Sequence, residues 1–146
     1  MPRLQTHSPL DMLVIMLGTN DCKQRFSLTA ANIALGMRRL VKKALEAEVW
    51  RDKPNILVIA PGPILKECEL SDVGKNMGIC SDKSYEIAKE YKLIAKELGV
   101  GFFDSASCVT MNDIDFMHLT ADSHKALAKK VSDIIKNTLE SKELKA

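Results

Sequence analysis

The chain alternates short unbroken apolar runs with longer stretches in which apolar residues return every three or four positions. Met12 to Leu17 is continuous and apolar, with Pro9 and Asp11 before it and Gly18 after it. A run with no polar face predicts a parallel core strand covered on both sides. From Leu28 to about Val49, Ile33, Met37, Leu40, Val41, Ala44 and Leu45 recur at helical spacing while Arg38, Arg39, Lys42, Lys43 and Glu46 fill the opposite face. This predicts a long amphipathic helix, with Gly36 a mild weakness inside it. Ile56 to Ala60 repeats the strand signature between Lys53-Pro54-Asn55 and Pro61-Gly62-Pro63.

Residues Ile64 to Ser81 keep no clean period and contain Gly74, Asn76 and Gly78. A connection of that length in a compact domain predicts a functional loop or lid, with room for a short helix. Ile87, Tyr91, Ile94, Ala95 and Leu98 then line one face of a helix that ends at Gly99, which suits a left-handed C-terminal cap. Val100 to Asp104 predicts a short third strand. Thr120 reads as the N-cap of a closing helix, with Asp122 in its first turn and Leu127, Val131, Ile134, Ile135 and Leu139 on its inner face. Strand and helix thus alternate three times. That order predicts a three-layer α/β/α arrangement with a parallel sheet and a ligand site at the carboxyl ends of its strands. No repeat, low-complexity tract or boundary interrupts it, so residues 1–146 read as one domain.

Composition narrows the partners. With 46% hydrophobic and 27% charged residues the chain is an ordinary globular one, and its net charge of +2 is spread without a basic patch, which argues against nucleic acid. The longest apolar run falls far short of the ~20 residues of a membrane span, and no signal-peptide core opens the chain, so a cytoplasmic location is expected. Cys22, Cys68, Cys80 and Cys108 form no C-x-x-C pair and no ligand spacing with the three histidines. Free thiols are expected rather than a metal site or a disulfide set.

Two polar clusters fall where the topology places a site. Gly18-Thr19-Asn20-Asp21 follows the first strand directly, and Asp115-Phe116-Met117-His118 lies in the loop before the last helix. A D-x-x-H spacing in a turn folds the carboxylate back onto the imidazole, fixing its tautomer and stabilising its protonated form. That prepares a general base for a serine nucleophile. An Asn at the end of a neighbouring strand aims its amide at the same point, as a donor to a tetrahedral oxyanion; one such donor is worth about 2.7–4 kcal/mol in the transition state. Each cluster alone reads more readily as a turn. Together, in this order and at strand ends, they point to a site.

These clusters, with "SPLDMLVIML" before the first and "DFMHLTADSHKALAKKV" around the second, resemble the third and fifth sequence blocks of the SGNH (GDSL) hydrolases, near their arylesterase-like branch. The resemblance covers almost the whole chain. It implies a flavodoxin-like SGNH hydrolase fold, hydrolysis of small acyl esters without a metal or organic cofactor, and three site roles. Asn20 would be an oxyanion-hole donor, His118 the general base and Asp115 its acidic partner in a Ser-His-Asp triad. Gly18, Thr19, Asp21 and Met117 flank these residues and are expected to contact substrate.

The same resemblance exposes a gap. The family's G-D-S block, which carries the nucleophile, and the block whose Gly N–H joins the oxyanion hole have no counterpart here. The first strand begins after only eleven residues, where family members carry a strand, a helix and another strand. Ser8 lies on the side away from the site, and Ser105 and Ser107 lack any G-D-S context, so the reading favours a chain without a nucleophile. Ser123 stands where the family often has Gly, which is expected to alter only contacts at the helix start. His124 and His7 are expected to be structural. Met111, Phe116 and Met117 are candidates for an apolar pocket or for the core, and Leu65, Val73, Met77 and Ile79 make part of the long loop apolar.

The expected sheet therefore lacks the family's first strands and leaves Met12 to Leu17 as a bare apolar edge. A homo-oligomer follows, most simply a twofold dimer joined through that edge. The expected function is that of the C-terminal portion of an acyl-ester hydrolase, nearly inactive alone. The alternative is a non-catalytic oligomeric remnant that binds ligands or partners. A nucleotide-binding domain is disfavoured because no G-x-G-x-x-G or G-K-[ST] loop follows a strand.

Overall fold

The three apolar runs become the three strands of one parallel sheet in a computed structural model that describes residues 2–143. The element order is α1 (Pro2–Gln5), β1 (Leu13–Met16), α2 (Ala30–Leu45), β2 (Ile56–Ala60), α3 (Gly74–Met77), α4 (Ser81–Leu98), β3 (Gly101–Asp104) and α5 (Ala121–Glu143). Short 3-10 turns occupy Thr19–Cys22, Gln24–Phe26, Lys66–Leu70 and Ser105–Ser107. The strands lie in the order β1-β2-β3, with Leu13 opposite Ile56 and Leu57 opposite Gly101.

β2 is buried along its whole length, as an unbroken apolar run at the centre of a parallel sheet should be. Ile56, Val58 and Ala60 join Ile33, Met37 and Val41 of α2 and Ile87 and Tyr91 of α4 in the core on one face. Leu57 and Ile59 alternate to the other face and are each only 2% exposed. α5 is the remaining long helix, and its Leu127, Val131, Ile134, Ile135 and Leu139 are half-buried, short of the fully inward face expected for them.

The first strand is the open edge that the resemblance implies, rather than a core strand covered on both sides. Among the described residues β1 pairs with β2 alone, and at its C-terminal end Met16 is 41% and Leu17 56% exposed. Continuous hydrophobicity marks a strand that needs cover on both faces. It does not distinguish a strand whose cover is present from one whose flank is open.

The helix ends are set by caps that apolar spacing does not encode. α2 starts at Ala30 rather than Leu28 because Thr29 closes a capping box: Asn32 N donates to Thr29 Oγ1 and Thr29 N donates to Asn32 Oδ1, both at 3.2 Å. It stops at Leu45, where Trp50 Nε1 donates to the Ala44 carbonyl at 3.0 Å. α4 ends in the left-handed Gly99 (φ 65°), as its position after Leu98 predicted. α5 begins with Thr120 Oγ1 accepting from Ser123 N at 3.1 Å, the N-cap read from the sequence.

The long connection from Ile64 to Ser81 folds into the turn Lys66–Leu70 and the short α3. Glu69 ties it to α4: its Oε1 accepts from Cys80 N (3.1 Å), Ser81 N (3.0 Å) and Ser81 Oγ (2.6 Å), while Oε2 meets Lys66 Nζ at 2.9 Å. A carboxylate at a helix N-terminus satisfies free N–H groups and complements the helix dipole. The Ser81 hydroxyl, aided by Lys66 and the two backbone N–H groups, holds the Glu69 carboxyl down to about 2 against the opposing effect of burial. Its contribution to stability is therefore complete above the unfolded value of about 4.3 and is lost as pH falls toward 2. Glu69→Gln is expected to destabilise the fold by about 1–2 kcal/mol at pH 7, as loss of a cap does. The difference from the parent should shrink in urea titrations below pH 4; a pH-independent difference would refute the charged cap.

Candidate active site

The route from β1 to Asn20 runs over the ring of Tyr91. The Tyr91 hydroxyl donates to the Leu17 carbonyl at 3.0 Å, and burial pushes its pKa up, so it stays a donor at any working pH. Gly18 then takes φ +128°, where a Cβ would lie 2.6 Å from Tyr91 Oη. Only glycine suits both that angle and that contact. The chain turns into Thr19–Cys22, closed by Asp21 N donating to the Gly18 carbonyl at 3.0 Å. Asn20 stands exposed on this turn, and no described residue takes its side-chain amide.

The second cluster is a closed loop built around Asn112. A bridge between Met111 and Leu119 and a bond from Asn112 N to the His118 carbonyl (2.8 Å) join its ends. Asn112 Oδ1 accepts from Ile114 N and Asp115 N, both at 2.9 Å, and Phe116 bends the chain through φ +61°. Asp115 Oδ1 then accepts from Met117 N and His118 N at 3.0 Å, and its Oδ2 lies 2.6 Å from His118 Nδ1. Burial pushes the Asp115 carboxyl up, but the two backbone N–H groups and the His118 ring outweigh it and hold it at about 2. The carboxylate therefore stays ionised and accepts Nδ1–H, leaving Nε2 of the 69%-exposed His118 as the basic nitrogen.

Ser123 fixes this loop to α5. It is 5% exposed, accepts from Thr110 N (2.8 Å) and Thr120 Oγ1 (2.8 Å), and donates to the Thr110 carbonyl (3.0 Å). Its hydroxyl thus does more than alter local contacts.

Asn20 and His118 open into one cleft of about 410 Å³ at the carboxyl ends of β1 and β2. Thr19, Lys23, Asn76 and His124 add polar groups to it, and Met16, Met77, Met111 and Met117 line its apolar part. No serine is among its walls in the described residues. Ser105 is fully buried with Oγ donating to the Ala60 carbonyl (2.7 Å), and Ser107 Oγ donates to the Asp104 carbonyl (2.7 Å).

The same architecture occurs in solved esterases. A carbohydrate acetylesterase from Sinorhizobium meliloti superposes with a TM-score of 0.83 at 32% identity, over 94% of this chain and 65% of that one. The native aryl esterase of M. smegmatis gives 0.81 at 30% identity, over 93% and 65%. The chain has the α/β fold of SGNH-type esterases. It spans just under two thirds of the length of these relatives. No protein-family profile and no curated relative matches it.

Within the SGNH framework the residues singled out by sequence separate into two groups. Thr19, Asn20, Met117 and His118 share the cleft, with Asp115 behind His118. Gly18 is buried against Tyr91, and Asp21 faces a separate pocket of about 240 Å³ with Leu17, Met37 and Tyr91, so neither reaches the cleft wall. Met111 lines the cleft, whereas Phe116 sits against the core. In the long loop Val73 and Met77 reach the cleft, while Ile79 is 57% exposed. His124, expected to be structural, stands on the cleft wall, because the first turn of α5 carries it round to the side of His118. Asn112 and Lys23 are absent from the residues singled out by sequence, and Asn76 figures there only as part of the long loop. For Asn112 a signal existed, an Asx residue three positions before Asp115.

The structure also holds free cysteines at all four positions, with Cys22, Cys68 and Cys80 buried. Among the described residues no group of three ligating side chains is placed to hold a metal, and no helix is long and apolar enough to cross a membrane.

Proposed function

We propose that the chain contributes the general base, its orienting carboxylate and one oxyanion donor to a serine hydrolase of small acyl esters, with the nucleophilic serine supplied from outside these 146 residues. The observation that carries the proposal is the 2.6 Å His118–Asp115 contact in a loop that shares a cleft with the unengaged amide of Asn20. His118 Nε2 takes the proton of the attacking hydroxyl. Asp115, ionised at any working pH, holds the imidazolium that results. Asn20 donates to the oxygen that becomes negative when the ester carbonyl turns tetrahedral. His118 then protonates the leaving alcohol, and a water activated by the same nitrogen releases the acid.

The apolar, methionine-lined part of the cleft suits a small acyl or aryl group. The four free cysteines fit a reducing, cytoplasmic setting. The open flank of β1, with Met16 and Leu17 exposed, suits pairing with a second copy in a twofold dimer. That flank, with the absence of serine from the cleft, favours one further reading, a non-catalytic oligomer that keeps only the ligand-binding surface.

The purified chain and its His118→Ala variant should hydrolyse p-nitrophenyl acetate at the same background rate, while sedimentation at micromolar concentration should show a dimer. Hydrolysis that disappears with His118 would place a nucleophile inside the chain and refute the outside serine. A monomer would remove the edge-paired dimer.

A further inference from the structure

The loop over the cleft carries a pair of groups that ester hydrolysis does not use. Glu69 to Ile79 supplies Val73, Asn76 and Met77 to the cleft wall, and it is bracketed by Cys68 before it and Cys80 after it. Both cysteines are 0% exposed in one core cluster, and each thiol shifts the pKa of the other, as neighbouring groups do. Cys68 belongs to the turn Lys66–Leu70, and Cys80 immediately precedes α4. The Glu69 carboxylate, accepting from Cys80 N at 3.1 Å, already draws the two backbones together. Neighbouring cysteines on two backbones joined in this way have the proximity from which a disulfide can form.

We propose that Cys68 and Cys80 are a disulfide-forming pair that staples the base of this loop, with a small-molecule disulfide of the glutathione type as the oxidant. One cysteine attacks the oxidant and releases a small thiol, leaving a mixed disulfide. The other cysteine attacks the protein sulfur of that bond and releases the second small thiol. One S–S bond forms in the protein, one S–S bond of the oxidant breaks, and the two cysteine protons leave on the two small thiols.

The surroundings set the pace of that reaction. Burial pushes the Cys80 thiol up to about 12 and raises Cys68 as well, so both are protonated and shielded while the loop is closed. Bond formation waits on opening. Two exposed contacts hold the loop to the Gln24–Phe26 turn: Ile79 N donates to Gln24 Oε1 at 3.0 Å, and Arg25 Nη1 donates to Asn76 Oδ1 at 3.1 Å. The pair therefore answers sustained oxidation rather than a brief pulse. Cys22 is buried as well, but its thiol is engaged with the Gly18 carbonyl at 3.7 Å.

The test uses the whole chain, incubated with oxidised glutathione at pH 8, then denatured, alkylated and digested with trypsin. Cleavage at Lys66, Lys75 and Lys83 places Cys68 and Cys80 in separate peptides, Glu67–Lys75 and Asn76–Lys83. The expected result is that these two peptides are joined, that two of the four thiols escape alkylation, and that dithiothreitol restores all four. Cys22→Ser should leave the link intact. Four alkylated thiols, glutathione retained on Cys108 alone, or a link through Cys22 would each overturn the assignment. In the folded protein, tryptic cleavage at Lys75 should be slower after oxidation; equal rates would show that the bond does not staple the loop. None of these measurements depends on ester hydrolysis, so they stand or fall apart from the esterase proposal.

Discussion

In a fusion that places an SGNH segment bearing the G-D-S block ahead of Met1, His118→Ala is expected to lower turnover about a millionfold, because a serine without its base is as inert as a site without its serine. Asp115→Asn should cost about ten-thousandfold. The amide would present a donor to Nδ1, forcing that nitrogen to accept and leaving the proton on Nε2, where a base is required. Asn20→Ala should cost a hundred- to a thousandfold, the loss of one oxyanion donor, and should act on kcat more than on KM because the charge it meets exists only in the transition state. The ordering is as diagnostic as the sizes. Asn20→Ala outranking His118→Ala, or Asp115→Asn without effect, would contradict the roles assigned to these side chains.

Gly18→Ala is expected to destabilise the chain by about 2–4 kcal/mol and to displace Asn20. Two separate costs combine: a side chain at φ +128° is strained whatever surrounds it, and the new Cβ would stand 2.6 Å from Tyr91 Oη. Denaturant midpoints separate them. Tyr91→Phe in the Gly18→Ala background removes the clashing oxygen, and the next atoms from the added Cβ are Tyr91 Cζ at 3.5 Å and Ile87 Cδ1 at 3.6 Å, an ordinary contact distance. The double variant should therefore be less destabilised than the sum of the single ones, although Tyr91→Phe alone gives up the bond to the Leu17 carbonyl. Simple additivity would mean that the clash is relieved elsewhere and that Tyr91 does not set the path of the chain to Asn20.

Periodicity located the elements because each is held by burial of one face or both. β2 matches its apolar run residue for residue, since a strand buried throughout has no polar position to blur its ends. β1 does not reveal its open flank in its composition, because a strand needs the same side chains whether its neighbour is present or not. The caps of α2 and α4 depend on single polar atoms, Thr29 and Asn32 in one case and the distant Glu69 in the other. A partner twelve residues away in the chain leaves no periodic trace.

The site divides along the same line. Asp115 and His118 were legible because a three-residue spacing in a turn nearly dictates their contact, and Asn20 because it follows a strand directly. His124 was not, since a helix turn decides which wall it joins. Asp21, expected from its place beside Asn20 to contact substrate, is turned instead into the separate pocket that it lines with Leu17 and Tyr91. Adjacent residues in a 3-10 turn point about 120° apart, so membership of a motif does not imply a shared direction.

The convergence of Asn20 and His118 on an incoming serine is tested by p-nitrophenyl acetate hydrolysis by the serine-bearing fusion, run beside the chain alone and beside the fusion with its G-D-S serine changed to Ala. Turnover is expected in the fusion alone, with the other two at background. A folded fusion that stays at background would contradict it, because Asn20 and His118 would then not converge on a serine delivered to the end of β1.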